Sequence, residues 1–344
     1  MTKRSVYIAY TGGTIGMKKT AQGFAPEAGY LTRELKQLAD LNRADMPDYV
    51  IHEYDHLIDS SNITPQDWFA IAEDIRQNYQ NFDGFVILHG TDTMAYTASA
   101  LSFMLEDLDK PVIVTGSQIP FGELRSDGRD NLITSVILAA EHAIPEVCLY
   151  FHDRLYRGNR AQKIDANNFH AFGSPNFPPL AKVGTTIELN KHVMIEANSR
   201  PFKVQKITPP PIAVVSIFPG MSAQMLSNLL IDPIRGLILQ TFGMGNAPSN
   251  DGEFLKVLED ASQRGVIIVN ITQCYRGSVD MEGYQTGNRL KQCGVISGYD
   301  MTTEAALSKL YYLFSLGLNT SDIKSKMQQN LRGELTLPLK NLMN

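Results

Sequence analysis

Val6-Tyr7-Ile8-Ala9 leads directly into Tyr10-Thr11-Gly12-Gly13-Thr14-Ile15-Gly16, and Phe85-Val86-Ile87-Leu88 repeats the arrangement before His89-Gly90-Thr91-Asp92-Thr93. A short, continuous apolar run bounded by turn residues reads as a strand buried on both faces, as in a parallel sheet. Each glycine- and threonine-rich segment then presents hydroxyls and free backbone N–H groups at a strand's carboxyl end. That edge is where open α/β sheets bind ligands.

Working outward, a helical pattern over Met94 to Leu105, a strand from Pro111 to Thr115, a helix from about Asn131 to Ala143 and a strand from Val147 to Phe151 follow in order. This alternation predicts a parallel sheet built from right-handed crossovers. Thr64-Pro65-Gln66-Asp67 supplies a cap, a proline at the first helical position and an acid at the third. Trp68, Ile71, Ala72 and Ile75 then fall at helical spacing, so Asp59-Ser60-Ser61 is left on a loop. Thr208-Pro209-Pro210-Pro211 interrupts the pattern, because proline fixes φ and removes donors. A second series follows, with strands at Ala213 to Phe218, Gly236 to Gln240 and Gly265 to Ile271 and a helix from Thr303 to Leu316. The expectation is a larger N-terminal α/β domain over residues 1–190, a proline-rich linker over 191–212 and a smaller C-terminal α/β domain over 213–344. Each has a mostly parallel sheet flanked by helices.

At 344 residues the chain exceeds one ordinary hydrophobic core, and 43% hydrophobic against 19% charged residues describes a globular protein. A net charge of −5 with scattered lysines and arginines gives no footprint for nucleic acid. No secretory segment or bilayer-spanning stretch stands out, which predicts a cytoplasmic protein without a membrane partner. Cys148, Cys274 and Cys293 form no metal-like spacing and fit reduced thiols.

Several motifs have competing readings. The first glycine loop lacks the lysine and hydroxyl residue that end a phosphate-binding loop, Met17 following Gly16, and instead fits a flexible lid carrying Thr14. Asp92 suits either the positive end of the following helix or a ligand's α-amino group. A threonine hydroxyl is a poor nucleophile until a base or charge activates it, so the two segments together suggest covalent acyl transfer. His52-Glu53-Tyr54-Asp55-His56 matches HExxH, but strand-like residues precede it, and that metal motif works only on a helix. His142, His152, His170 and His192 show no ligand spacing, so no metal site is predicted. Gly243-Met244-Gly245-Asn246-Ala247-Pro248 lacks the third glycine of a dinucleotide fingerprint, which disfavours a nicotinamide dehydrogenase.

The TGGTIG and HGTDTM segments resemble the two signature motifs of the asparaginase family, the bacterial-type L-asparagine amidohydrolases, specifically its cytoplasmic type I group. The similarity runs on through Asp59-Ser60-Ser61, Val114-Thr115-Gly116-Ser117-Gln118, Arg157-Gly158-Asn159-Arg160, Gly243 to Pro248 and Asp300-Met301-Thr302-Thr303-Glu304-Ala305. By this resemblance Thr14 is the nucleophile toward L-asparagine, and Thr91, Asp92 and Lys163 form a second catalytic cluster. Asp59, Ser60, Ser61, Thr91, Asp92 and Ser117 bind the substrate, with Thr91 and the backbone beside Ser117 as oxyanion donors. The resemblance also implies no metal or organic cofactor and a homotetramer built as a pair of dimers. Phe24 stands where relatives place a tyrosine, which turns attention to Tyr284 as a hydroxyl donated by a neighbouring subunit. Gln240, Thr272, Gln273 and Cys274 match an allosteric asparagine site, although Gln240 carries no fixed charge for a carboxylate. The alternatives are an amidotransferase-type subunit that releases ammonia for a partner enzyme, and a non-catalytic amino-acid sensor.

Overall fold

A computed structural model describes residues 3–21, 23–283 and 285–338. The chain divides into two compact units, Met1–Gln205 and Lys206–Asn344.

The first unit runs β1 (Ser5–Gly12), the hairpin β2 (Met17–Thr20) and β3 (Gly23–Pro26), α1 (Tyr30–Gln37), β4 (Asp48–Ile58), α2 (Pro65–Asn78), β5 (Gly84–Leu88) and α3 (Met94–Met104). It continues through β6 (Leu105–Glu106), β7 (Val112–Thr115), α4 (Gly128–Glu141), β8 (Val147–Phe151) and β9 (Arg154–Arg157). Short strands follow: β10 (Gln162–Lys163), β11 (Phe172–Gly173), β12 (Ala181–Val183), β13 (Ile187–Leu189) and β14 (Lys203–Val204). The described residues form an eight-stranded sheet ordered β13-β12-β9-β8-β7-β5-β1-β4. β8, β7, β5, β1 and β4 are parallel, while β9, β12 and β13 close one side antiparallel.

The two apolar runs explain the centre of this sheet. Val6, Ile8 and Tyr10 of β1 and Val86 and Leu88 of β5 turn toward α1 and α4, in one core with Leu31, Leu35, Leu132 and Val136. Tyr7, Ala9, Phe85 and Ile87 are buried as well, so both faces are covered and the runs need no polar alternation. Each fully buried aliphatic side chain contributes roughly 1.5–3 kcal/mol. Helix α2 starts as expected, Asp67 Oδ2 accepting from the Thr64 N–H at 2.7 Å. Helix α4 begins three residues earlier than its pattern, at Gly128, because the Asn131 N–H donates to the Asp127 carbonyl at 3.1 Å and closes a turn there.

The segment 191–212 is not all linker. Buried Glu146 pairs with buried Arg157 and accepts from the Ile195 N–H at 2.6 Å, while Arg157 Nη2 donates to the Val193 carbonyl at 2.7 Å. β14 also pairs with β6, so residues up to 205 belong to the first unit.

The second unit carries β15 (Ile212–Ser216), α5 (Ala223–Leu229), β16 (Gly236–Thr241), α6 (Gly252–Gln263), β17 (Ile267–Thr272), α7 (Gln285–Gln292), β18 (Ile296–Ser297), α8 (Thr303–Ser315) and α9 (Thr320–Met327). Its four strands are parallel and ordered β15-β16-β17-β18. Ser222, Asp251, Thr302 and Asn319 cap α5, α6, α8 and α9 through their side chains. Among the described residues no helix is long and apolar enough to cross a membrane.

Candidate active site

Successive connections carry the chain from β1 to β4 on one side, then back past β1 to β5, β7 and β8 on the other. This reversal opens a crevice at the carboxyl ends of β1 and β5. Both motif segments emerge there, one from each strand.

Glycines bring the surrounding loops into contact. Gly13 has φ +90°, and a methyl group on it would stand 2.2 Å from the Gly90 nitrogen. A methyl on Gly90 would meet Ser60 Oγ at 2.4 Å. The backbones that carry Thr14 and Thr91 thus touch where no Cβ fits, and the Ser60 side chain packs against Gly90. The Thr93 hydroxyl fastens the Asp59 loop by donating to the Ser60 carbonyl at 2.7 Å. Thr14 lies half-buried in a 3-10 turn, Thr14–Gly16, held by Phe121 N–H donating to the Ile15 carbonyl at 2.9 Å.

On β10, Lys163 Nζ donates to Thr91 Oγ1 at 2.9 Å and to Asp92 Oδ1 at 2.7 Å. The Thr91 hydroxyl in turn donates to Gln118 Oε1 at 3.3 Å. Gln118 was legible only as part of a motif, and its amide bridges two loops, since Nε2 donates to the Ala166 and Asn168 carbonyls at 3.2 and 3.1 Å. The Gln118 N–H is taken by the Asp127 carboxylate at 3.0–3.1 Å. In this arrangement the Gln118 N–H points to Asp127 and away from the substrate crevice's oxyanion position. Ser117 itself is buried, and its hydroxyl has no hydrogen-bond partner among the described residues. Asp59 and Ser61 are exposed and Ser60 is buried, Asp59 Oδ1 accepting from the Ser61 N–H at 3.1 Å.

Beneath the second motif, a chain of neutral hydrogen bonds ties its His89 to two residues outside any motif, Thr97 and Trp68. Trp68 Nε1–H donates to Thr97 Oγ1 at 3.0 Å, and the Thr97 hydroxyl reaches His89 Nε2 at 2.9 Å. His89 Nδ1 lies 2.7 Å from the Gly90 carbonyl, an acceptor only, so Nδ1 carries the proton. Burial lowers the His89 pKa from 6.5 to about 4, against a smaller opposing effect of the Gly90 bond. The native state therefore keeps this imidazole neutral where the unfolded chain would protonate it. Both states are neutral here above pH 6.5, and stability falls by about 3 kcal/mol as the pH drops toward 4, because the unfolded chain takes up a proton that the native state refuses. Urea midpoints of the wild type and His89→Asn across that window should show the wild type losing stability more steeply in acid. Parallel pH slopes would refute the assignment.

His52-Glu53-Tyr54-Asp55-His56 lies on strand β4, not a helix. Glu53 accepts from Gly29 N–H at 2.5 Å and the Thr32 hydroxyl at 2.8 Å, and His52 Nδ1 lies 2.6 Å from the Tyr7 hydroxyl. In the second unit Gln240 accepts from the Ser216 hydroxyl and donates to Thr303 Oγ1 at 2.7 Å. Gln273 Nε2 donates to the Gln240 carbonyl at 2.8 Å, and the Thr272 hydroxyl accepts from the Cys274 N–H at 3.0 Å, so these four residues are neighbours. Phe24 is exposed on β3, whereas Tyr284 lies outside the described residues.

Residues 5–194 match the family described as Asparaginase, N-terminal, and residues 211–327 match the Glutaminase/Asparaginase C-terminal domain. The chain is 55% identical over 336 residues to L-asparaginase 1 of Escherichia coli strain K12, covering 98% of this chain and 99% of that one. The crystal structure of L-asparaginase I from Vibrio cholerae O1 biovar eltor str. N16961 superposes with a TM-score of 0.92 at 55% identity, covering 98% of this chain and 100% of that chain. For the thermostable L-asparaginase from Thermococcus kodakarensis the TM-score is 0.87 at 31% identity, with 97% and 100% covered. A glycine-stitched crevice at the sheet's switch point and matches that span both units lead to one assignment: the chain belongs to the asparaginase family.

Proposed function

We propose that the chain hydrolyses L-asparagine to L-aspartate and ammonia through a threonine acyl-enzyme. The observation that carries this reading is Lys163 Nζ within hydrogen-bond reach of both Thr91 and Asp92, beside the loop that bears Thr14. The relatives' names, L-asparaginase 1 and L-asparaginase I, support the substrate.

In this reading Thr14 Oγ attacks the side-chain amide carbon, its proton passes to the departing nitrogen, and the C–N bond breaks to release ammonia. Water then attacks the ester carbon, aspartate leaves, and the Thr14 hydroxyl is restored. Thr91, held by Lys163 and Gln118, positions and activates the water. Asp92 and Asp59 face the substrate's α-ammonium group, and the Ser60 and Ser61 loop takes its α-carboxylate. Thr91 is the candidate donor to the developing oxyanion once its hydroxyl turns from Gln118 Oε1 toward the substrate, and one such donor is worth about 3 kcal/mol.

Ammonia release by the purified chain, measured over a wide range of L-asparagine with L-glutamine alongside, tests the reading. Turnover of asparagine is expected. The glutamine comparison reports what one methylene does in this pocket, about 1–3 kcal/mol. No release from either amide by folded protein would refute hydrolysis and point to a partner-dependent amidotransferase or a sensor.

A further inference from the structure

His152 and Asp153 form the turn between β8 and β9, and His170 lies on the loop between β10 and β11. One ligand atom from each lies within 4.8 Å of the other two. The imidazoles meet edge to face at 6.0 Å, and His170 Nδ1 stands 3.8 Å from Asp153 Oδ1, beyond hydrogen-bond range. Asp153 Oδ1 is shut off from solvent and has no hydrogen-bond partner among the described residues. Its other carboxylate oxygen is occupied by Arg154 Nη1. A carboxylate oxygen enclosed without a donor is unfavourable, and a cation shared with two imidazoles supplies what it lacks.

We propose that His152, Asp153 and His170 form a binding site for a divalent transition-metal ion of the zinc class, with a fourth position left for water. Two imidazoles and one carboxylate suit zinc and its neighbours, whereas magnesium and calcium take oxygen ligands. Donors on a tetrahedral zinc stand roughly 3.3–3.5 Å apart, and the three ligand atoms here lie within 4.8 Å of one another with both histidines exposed.

Two of the ligands sit on a fixed scaffold. The His152 N–H donates to Asn131 Oδ1 at 2.9 Å, its carbonyl accepts from the Tyr150 hydroxyl at 2.7 Å, and the Asp153 carbonyl accepts from the Val183 N–H at 2.9 Å. The third, His170, follows Ala166 and Asn168, whose carbonyls hold the Gln118 amide that accepts from Thr91. Metal bound here fastens that loop to the β8–β9 turn. It thereby restrains Gln118 from the side remote from Thr91.

The test uses the full chain, made without a histidine tag, stripped by a chelator and titrated with zinc sulfate by calorimetry. One equivalent is expected to bind, to be lost in both His170→Ala and His152→Ala, and to persist in Cys274→Ser, which removes the exposed thiol. His170→Ala changes a half-exposed side chain and keeps the test decisive if the turn variant fails to fold. Cobalt in place of zinc should give visible bands without a thiolate charge-transfer band. Failure of the wild type to bind zinc, undiminished binding in folded His170→Ala, or loss of binding in Cys274→Ser would each overturn the proposal. The result stands apart from amide hydrolysis, which is measured without added metal.

Discussion

Thr14→Ala should abolish turnover of L-asparagine, lowering kcat by roughly 10⁴–10⁶-fold, as expected when the attacking group of a covalent mechanism is removed. The fold should survive, because the conformation of this turn comes from its neighbours. Gly13 sets the entry at φ +90°, the Gly16 N–H closes on the Gly13 carbonyl at 3.3 Å, and the Phe121 N–H holds the Ile15 carbonyl at 2.9 Å. Thr14 is only half-buried, so losing its hydroxyl and methyl should change stability by less than about 1 kcal/mol. The Asp59 loop and Asp92 are untouched, so asparagine should still bind to the inactive protein. Steady-state kinetics, urea unfolding and asparagine binding by calorimetry together check the assignment. A folded variant within tenfold of wild-type kcat would mean that Thr14 does not attack the amide.

How far the sequence carried this assignment depends on the range of the interactions involved. The strands around Ile8 and Val86 were legible because burial on both faces leaves a continuous apolar signature, and α2 was legible because Pro65 and Asp67 act within one helical turn. Long-range contacts left no such trace. The first unit extends to residue 205 because Glu146 and Arg157 reach Ile195 and Val193 and because β14 pairs with β6. Gln118 gains its role from carbonyls 48 and 50 residues away, and His89 from a threonine and a tryptophan on two helices. His152 and His170 lack ligand spacing in the chain and meet only because the β8–β9 turn and the β10–β11 loop fold toward each other. Thr14, Thr91 and Asp92 stood out as hydroxyls and an acid at two strand ends and took their particular roles from the resemblance, whereas Lys163 entered through resemblance alone. Physical spacing alone would have left Lys163 as an ordinary solvated lysine.

Lys163→Met tests that last residue, and relative magnitudes separate its chemical role from a structural one. Its partner Asp92 is 63% exposed in its side chain, so the Lys163–Asp92 pair is a surface ion pair worth at most about 1 kcal/mol of stability. Methionine keeps most of the aliphatic stem, and the urea midpoint should scarcely move. The catalytic effect should be far larger. Without the Nζ donor at 2.9 Å the Thr91 hydroxyl loses its charged partner, and the carboxylate of Asp92 loses the cation at 2.7 Å. A positioned proton-transfer group contributes typically 10²–10⁴-fold, so kcat should fall by about that factor. If Thr91 and Lys163 serve the water step, acyl-enzyme should accumulate in the variant and appear as a burst of one ammonia per active site before slow turnover. A fall in kcat without a burst would place Lys163 at acylation. Unchanged kcat with an unchanged midpoint would reduce the pair to surface electrostatics and remove Lys163 from the mechanism.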